Sequence, residues 1–184
     1  MIAGPNGGGK STIYKNLDLP GMFVNADETA RTLQAAGTAA SALKAGRLVL
    51  LQLDHLIKAR QDFIYETTLS SHQSVNLLKR AAGAGYETLL IFVVLAAPEL
   101  HVRRVAQRVS RGGHDIPEPI IRRRYDLTFK NLAVCLRISD AAMIFDNSSS
   151  GARLVLEVNG MTVSDYADRN NPLDRRILDL VARS

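Results

Sequence analysis

The chain has 184 residues, 46% hydrophobic, with a net charge of +5, the profile of one soluble domain with a sizeable core. Its longest apolar run, Leu89 to Ala97, falls far short of the roughly 20 residues a membrane helix needs. The single cysteine, Cys135, excludes an internal disulfide. The window from Arg103 to Lys130 holds eight bases against three acids and carries the whole excess of charge. Such concentration suits a compact polyphosphate ligand and argues against a general nucleic-acid surface.

In chain order, residues 1–3 read as a short strand, followed by a Gly-rich loop and a helix over 10–16. Residues 22–25 form a second strand, with a helix behind it. Leu43, Leu50, Leu53 and Ile57 recur at helical spacing and predict a long helix over 41–60. A third strand over 62–65 ends at Glu66, and a helix over 74–84 closes at the glycines 83 and 85. Residues 87–95 are a continuous apolar strand, as expected where both faces of a parallel sheet are covered.

Pro98 opens an Arg-rich helix to about Ser110, residues 111–114 turn, and a helix runs over 118–138. A fifth strand covers 141–145. Residues 153–163 read as a hairpin turning at Asn159-Gly160. Asn171 caps a last helix, with Pro172 at its first position and Leu173, Ile177 and Leu180 on its apolar face. Alternating strands and helices imply an open, mostly parallel α/β sheet in a single domain over 1–184. The N-terminus shows no basic segment followed by an apolar one, so the expected location is cytoplasmic.

Gly4-Pro5-Asn6-Gly7-Gly8-Gly9-Lys10-Ser11 fits the pattern G-x-x-x-x-G-K-[ST] without a mismatch, and Thr12 continues into the helix. The glycines let backbone N–H groups close on an anion, and the helix start adds its positive dipole end. Lys10 is expected on the β- and γ-phosphates of ATP or GTP, and Ser11 on Mg²⁺. The cradle itself does not separate ATP from GTP.

Asp27 and Glu66 follow the carboxyl ends of two predicted strands, where ligands of parallel sheets bind. Asp27 is placed to take the proton of an attacking hydroxyl, or to cap the helix that follows. Glu66 is placed to hold a metal-bound water or a substrate hydroxyl, or to cap the helix after Ser70. The apolar strand over 89–95 carries no terminal acid, unlike the Walker B strand of a motor ATPase.

Arg104, Arg108 and Arg111 share one helix face, opposite Val102, Val105 and Val109. With Arg124 on the next helix they form an arginine lid over the phosphates. Arg103, Arg122 and Arg123 read as a solvated basic face. His55, His72 and His101 lack the spacing of metal ligands.

These stretches, with Val24-Asn25-Ala26-Asp27, Glu66-Thr67-Thr68-Leu69-Ser70, Arg111-Gly112-Gly113-His114-Asp115-Ile116-Pro117, Arg123-Arg124-Tyr125 and Asp146-Asn147-Ser148, resemble the zeta toxin family. Its members are P-loop UDP-N-acetylglucosamine kinases of bacterial toxin–antitoxin systems. The resemblance implies a three-layer α/β/α fold on a mostly parallel five-stranded sheet, with an Arg-rich helical lid and a small C-terminal hairpin and helix. It implies transfer from ATP or GTP to a sugar hydroxyl of UDP-N-acetylglucosamine, with Asp27 as base and Lys10, Arg111 and Arg124 catalytic. Arg108 joins the nucleotide site; Asn25, Glu66, Thr67, Thr68 and Arg111 attend the substrate. The accumulated sugar nucleotide would starve cell-wall synthesis, and a small antitoxin would cover the nucleotide site. Relatives usually carry several more apolar residues before the loop, and the sequence leaves open whether the native N-terminus is longer than residue 1. Rival expectations are a kinase for another phosphorylated or hydroxylated acceptor, a nucleic-acid end-processing or binding module, and a toxin that binds nucleotide without turnover.

Overall fold

The computed structural model describes residues 1–35 and 42–182. Its strands are β1 (Ile2–Ala3), β2 (Met22–Asn25), β3 (Phe63–Thr67), β4 (Leu89–Val94), β5 (Ala141–Asp146), β6 (Arg153–Asn159) and β7 (Thr162–Asp165). Its helices are α1 (Lys10–Lys15), α2 (Ala26–Ala35), α3 (Ala42–Lys58), α4 (His72–Gly83), α5 (Pro98–Val109), α6 (Glu118–Leu136) and α7 (Pro172–Val181). Ser41, expected at the start of the long helix, lies outside the described residues, as does the side chain of Leu43.

One sheet runs in the order β2-β3-β1-β4-β5-β6-β7. Its first five strands are parallel, and short β1 sits at the centre, with Ile2 opposite Glu66 on β3 and Ile91 on β4. The expected five strands become seven because the C-terminal hairpin joins the sheet. β6 pairs antiparallel with β5, from Ala141 opposite Asn159 to Asp146 opposite Arg153. Apolar burial explains this: Val155 and Leu156 are fully buried and extend the same core as Leu90, Phe92 and Ile144. Asn159 pairs with Thr162, so the two-residue turn is Gly160-Met161, one residue later than expected. Gly160 has a φ of 57°, a conformation that glycine adopts without strain.

The period-2 geometry of a strand splits the apolar run of β4 between two layers. Leu90, Phe92 and Val94 pack with α4, α6 and α7. Ile91 and Val93 face the other way, with Ile2 and Ile64, against Ile13, Tyr14 and Leu17. α3 covers the β2 edge, where Val49, Leu53 and Leu56 meet Val24 and Leu77. Cys135 is buried in the main core, and burial pushes its thiol up to about 11, as befits an inert packing residue. Among the described residues no helix is long and apolar enough to cross a membrane.

The parallel strands all point their carboxyl ends at one edge of the sheet. The Gly-rich loop, Asn25, Glu66, Leu95 and Asn147 therefore gather there. A cavity of about 590 Å³ opens at the opposite strand ends, between Met1, Phe63, Tyr86 and Leu89, and touches no residue of the loop.

Candidate active site

The loop between β1 and α1 approaches β4 so closely that only glycine fits at its start. A Cβ on Gly4 would lie 2.0 Å from the Val93 carbonyl oxygen, and Gly4 has a φ of 142°. At the other end Gly9 has a φ of 94°, and a Cβ there would lie 2.2 Å from Asn147 Nδ2. The loop thus wraps against β4 and the end of β5, leaving α1 to begin at Lys10 with its N-terminus facing the cradle.

Lys10 is buried inside its own loop. Its Nζ donates to the carbonyls of Gly4 at 2.9 Å and Pro5 at 3.3 Å, and lies 3.9 Å from Glu66 Oε1. Burial lowers its pKa; the carboxylates of Glu66 and Asp27 oppose that shift, while Arg108 and Arg124 add to it. Five charged groups from five elements therefore act on one another at the carboxyl edge. Glu66 Oε2 also accepts from Ser11 Oγ at 3.3 Å. Glu66 is accordingly a cradle residue and caps no helix.

Asp27 stands in the first turn of α2 with its side chain exposed. The cap is Asn25, whose Oδ1 accepts from the backbone N–H of Asp27 at 2.6 Å and of Glu28 at 3.2 Å. This corrects the capping alternative for Asp27 and gives the Asn25 side-chain oxygen a structural task. Asp27 keeps its carboxylate available, and its charge reaches both Lys10 and Arg124.

The Thr67 and Thr68 hydroxyls bond within their own turn and the start of α4. Buried Thr67 Oγ1 bonds Ser74 Oγ at 2.7 Å and accepts from Leu69 N, and Thr68 Oγ1 bonds Ser70 Oγ at 2.8 Å. Leu69 has a φ of 55°, and its carbonyl accepts from Asn131 Nδ2 at 2.8 Å. These bonds hold a strained turn directly behind Glu66.

The lid arginines divide. Arg104 Nη2 donates to the Asn147 carbonyl at 2.6 Å, and Arg124 Nη1 to Asn6 Oδ1 at 2.9 Å. Arg108 Nη2 donates to the His114 carbonyl, while its Nε is buried and without a partner. The charge of this guanidinium acts on Lys10. Arg111 is exposed and forms no ion pair among the described residues. Arg122 pairs with Glu99 and Glu118 on the surface, as expected of a solvated face.

Two residues carry tasks that their sequence context does not announce. His101, fully buried, hydrogen-bonds the Asn6 carbonyl through Nδ1 at 2.8 Å and accepts from Leu95 N through Nε2 at 3.1 Å. Asn147 Nδ2 donates to the Gly8 carbonyl at 2.9 Å. The available sign for His101 was its place four residues before Val105, on the apolar face of the helix.

Mg²⁺ fits the donors present. Ser11 and Glu66 offer hard oxygens side by side, and Mg²⁺ is commonly held by one such carboxylate together with substrate phosphates. Among the described residues no group of three or more His, Cys, Asp or Glu could hold a metal by itself.

Known proteins share this fold. In structure the chain is similar to AvrRxo1-ORF1:AvrRxo1-ORF2 crystallised with sulphate ions (TM-score 0.71, 18% identity, 95% of this chain and 62% of that one). It is also similar to an AvrRxo1-ORF1:-ORF2 structure with ATP (TM-score 0.68, 18% identity, 89% and 59%). A third likeness is to the PezAT chromosomal toxin-antitoxin system of Streptococcus pneumoniae (TM-score 0.60, 17% identity, 98% and 85%). The chain spans about three fifths of the matched AvrRxo1 chains. In sequence it is 30% identical to an uncharacterised protein of Haemophilus influenzae over 126 residues, 68% of this chain and 90% of that protein. The zeta toxin family model matches residues 1–169, which include every strand of the sheet and the entire cradle, and the chain belongs to that family.

Proposed function

We propose that the protein transfers the γ-phosphoryl group of ATP or GTP to a sugar hydroxyl of UDP-N-acetylglucosamine. The observation that carries this reading is the convergence on Lys10 of two carboxylates, Glu66 and Asp27, and two guanidinium groups, Arg108 and Arg124. Motor ATPases and GTPases need a phosphate cradle. A kinase also needs an acid at its mouth that is free to take a proton, and Asp27, relieved of capping by Asn25, supplies one.

The steps follow from what each group can do. The loop N–H groups and the start of α1 hold the phosphates, and Lys10 exchanges its carbonyl partners for phosphate oxygens. The acceptor oxygen attacks the γ-phosphorus as the bond to the β–γ bridging oxygen breaks, and its proton passes to the Asp27 carboxylate. Arg108 and Arg124 neutralise charge on the transferring group. Arg111, exposed on the lid loop, closes on substrate once phosphates draw the lid inward. Mg²⁺, held by Ser11 and the nucleotide with Glu66 beside it, would offset the charge between the β- and γ-phosphates. A small antitoxin lying over the cradle would block all of this. That the related PezAT is a toxin-antitoxin system supports such a partner.

Incubating the protein with Mg-ATP or Mg-GTP and UDP-N-acetylglucosamine should give a sugar nucleotide with one added phosphate by mass spectrometry. Asp27→Asn should be slower by about a hundredfold or more with nucleotide affinity retained. No product from wild type that binds nucleotide would overturn the acceptor and call for a screen of other hydroxyl acceptors.

A further inference from the structure

His101 sits near the start of α5 with no exposed surface, and its two ring nitrogens join two separate pieces of chain. Leu95 N–H, at the end of β4, is a donor only, so Nε2 of the imidazole must accept from it. The ring proton is therefore on Nδ1, which donates to the Asn6 carbonyl in the phosphate loop at 2.8 Å. Burial, with the charges of Lys10 and Arg104 nearby, holds the ring neutral and lowers its pKa to about 4.

The loop is fitted around this residue. A Cβ on Gly7 would lie 2.8 Å from the His101 carbonyl oxygen, and one on Gly8 would lie 3.6 Å from its Cε1. The ring packs edge-on to Tyr125 at 5.4 Å, and the Tyr125 hydroxyl donates to the carbonyls of Leu95 and Ala96. Asn6 is thus held twice, by His101 at its carbonyl and by Arg124 at its side chain. Fixing the peptide after Asn6 sets the direction in which the Gly7 N–H points, next to the Gly8 N–H that the Pro5 carbonyl holds at 3.2 Å.

We propose that His101 is a positioning residue for the nucleotide: a neutral imidazole of fixed tautomer that ties the phosphate loop to β4. It keeps the loop's donors aligned before phosphate arrives, so that binding orders less chain. The inference rests on the cradle's binding ATP or GTP and is independent of the acceptor.

The test is equilibrium titration of wild type and variants with Mg-ATP, with turnover at saturating nucleotide measured alongside. His101→Phe fills the ring's place and removes both hydrogen bonds; it should weaken binding about tenfold and change saturated turnover by less than about twofold. His101→Asn keeps an amide donor at the Nδ1 position and should bind within about threefold of wild type. Should the Phe variant not fold, His101→Gln takes its place: its amide reaches Leu95 N–H but leaves the Asn6 carbonyl without its donor, and the same weakening is expected. Phe or Gln binding as tightly as wild type, or Asn binding as weakly as they do, overturns the inference alone. A wild type that binds neither Mg-ATP nor Mg-GTP overturns the cradle reading and this inference with it.

Discussion

Asn25 ends one element and starts the next, and the base assignment depends on that double duty. Its amide oxygen satisfies two of the N–H groups that open α2, which leaves Asp27 unencumbered. Asn25→Ala should cost about 1 kcal/mol of stability in chemical denaturation. It should also slow turnover, since Asp27 rides on the turn that Asn25 fixes; Asn25→Ser, another good cap, should restore both. His101 makes a second prediction at this scale. Its pKa in the folded state, about 4, lies below the ordinary 6.5, so between these values the unfolded chain binds the proton and the native chain does not. Stability from this residue is full above pH 6.5 and is lost as pH falls towards 4, by about 3 kcal/mol in all. Lys10 and Arg104 are the charges that oppose its protonation, after burial itself. Unfolding free energy measured across that window should fall more steeply for wild type than for His101→Asn; parallel slopes would sink the assignment. Lys10, Ser11 and Glu66 were legible in the sequence because local order announces them. His101 was not, because one partner, Asn6, lies on a loop 95 residues earlier in the chain and the other, Leu95 N–H, meets the ring only once α5 folds back on the end of β4.

At the scale of elements, sequence patterns placed the helices and strands of the described residues in order, and no end moved by more than two residues. The hairpin is where pattern and outcome part. Its alternation was visible, but whether it stands apart or extends a sheet depends on the open edge of β5, which no local signal describes. α7 shows what the join achieves. Asp174 in its first turn is fully buried and accepts from Arg153 Nη2 on β6 at 2.8 Å and from Asp168 N at 2.7 Å. Arg153 also reaches Asp146 at 3.2 Å. Asp174→Ala should destabilise the fold by about 2 kcal/mol, less than a fully buried pair would give because Arg153 is part-exposed. Nucleotide affinity should stay unchanged in the same protein, since Arg153 keeps Asp146. A large fall in affinity would mean that α7 acts on the cradle through Asp146 and Asn147.

For the molecule as a whole, Lys10 and Ser11 have internal partners that phosphate must replace. Glu66→Gln removes the carboxylate and leaves Lys10 paired only with carbonyls in a buried place. Thermal unfolding without ligand should therefore shift down, by several degrees. The rise on adding Mg-ATP should persist if phosphate supplies the charge that Lys10 has lost, and vanish if Glu66 is needed to hold Mg²⁺. The class of fold was legible because a P-loop and alternating elements leave few topologies. The unions that complete the site were not, because they span the chain: Asn6 with Arg124 across 118 residues, and Gly8 with Asn147 across 139. Those separations bear on how the protein is made. The phosphate loop leaves the ribosome well before its last clamp, which is translated 139 residues after Gly8. A nascent chain stalled before Asn147 should carry the entire phosphate-binding signature and grip no nucleotide, so the growing protein reaches competence long after its signature has been made.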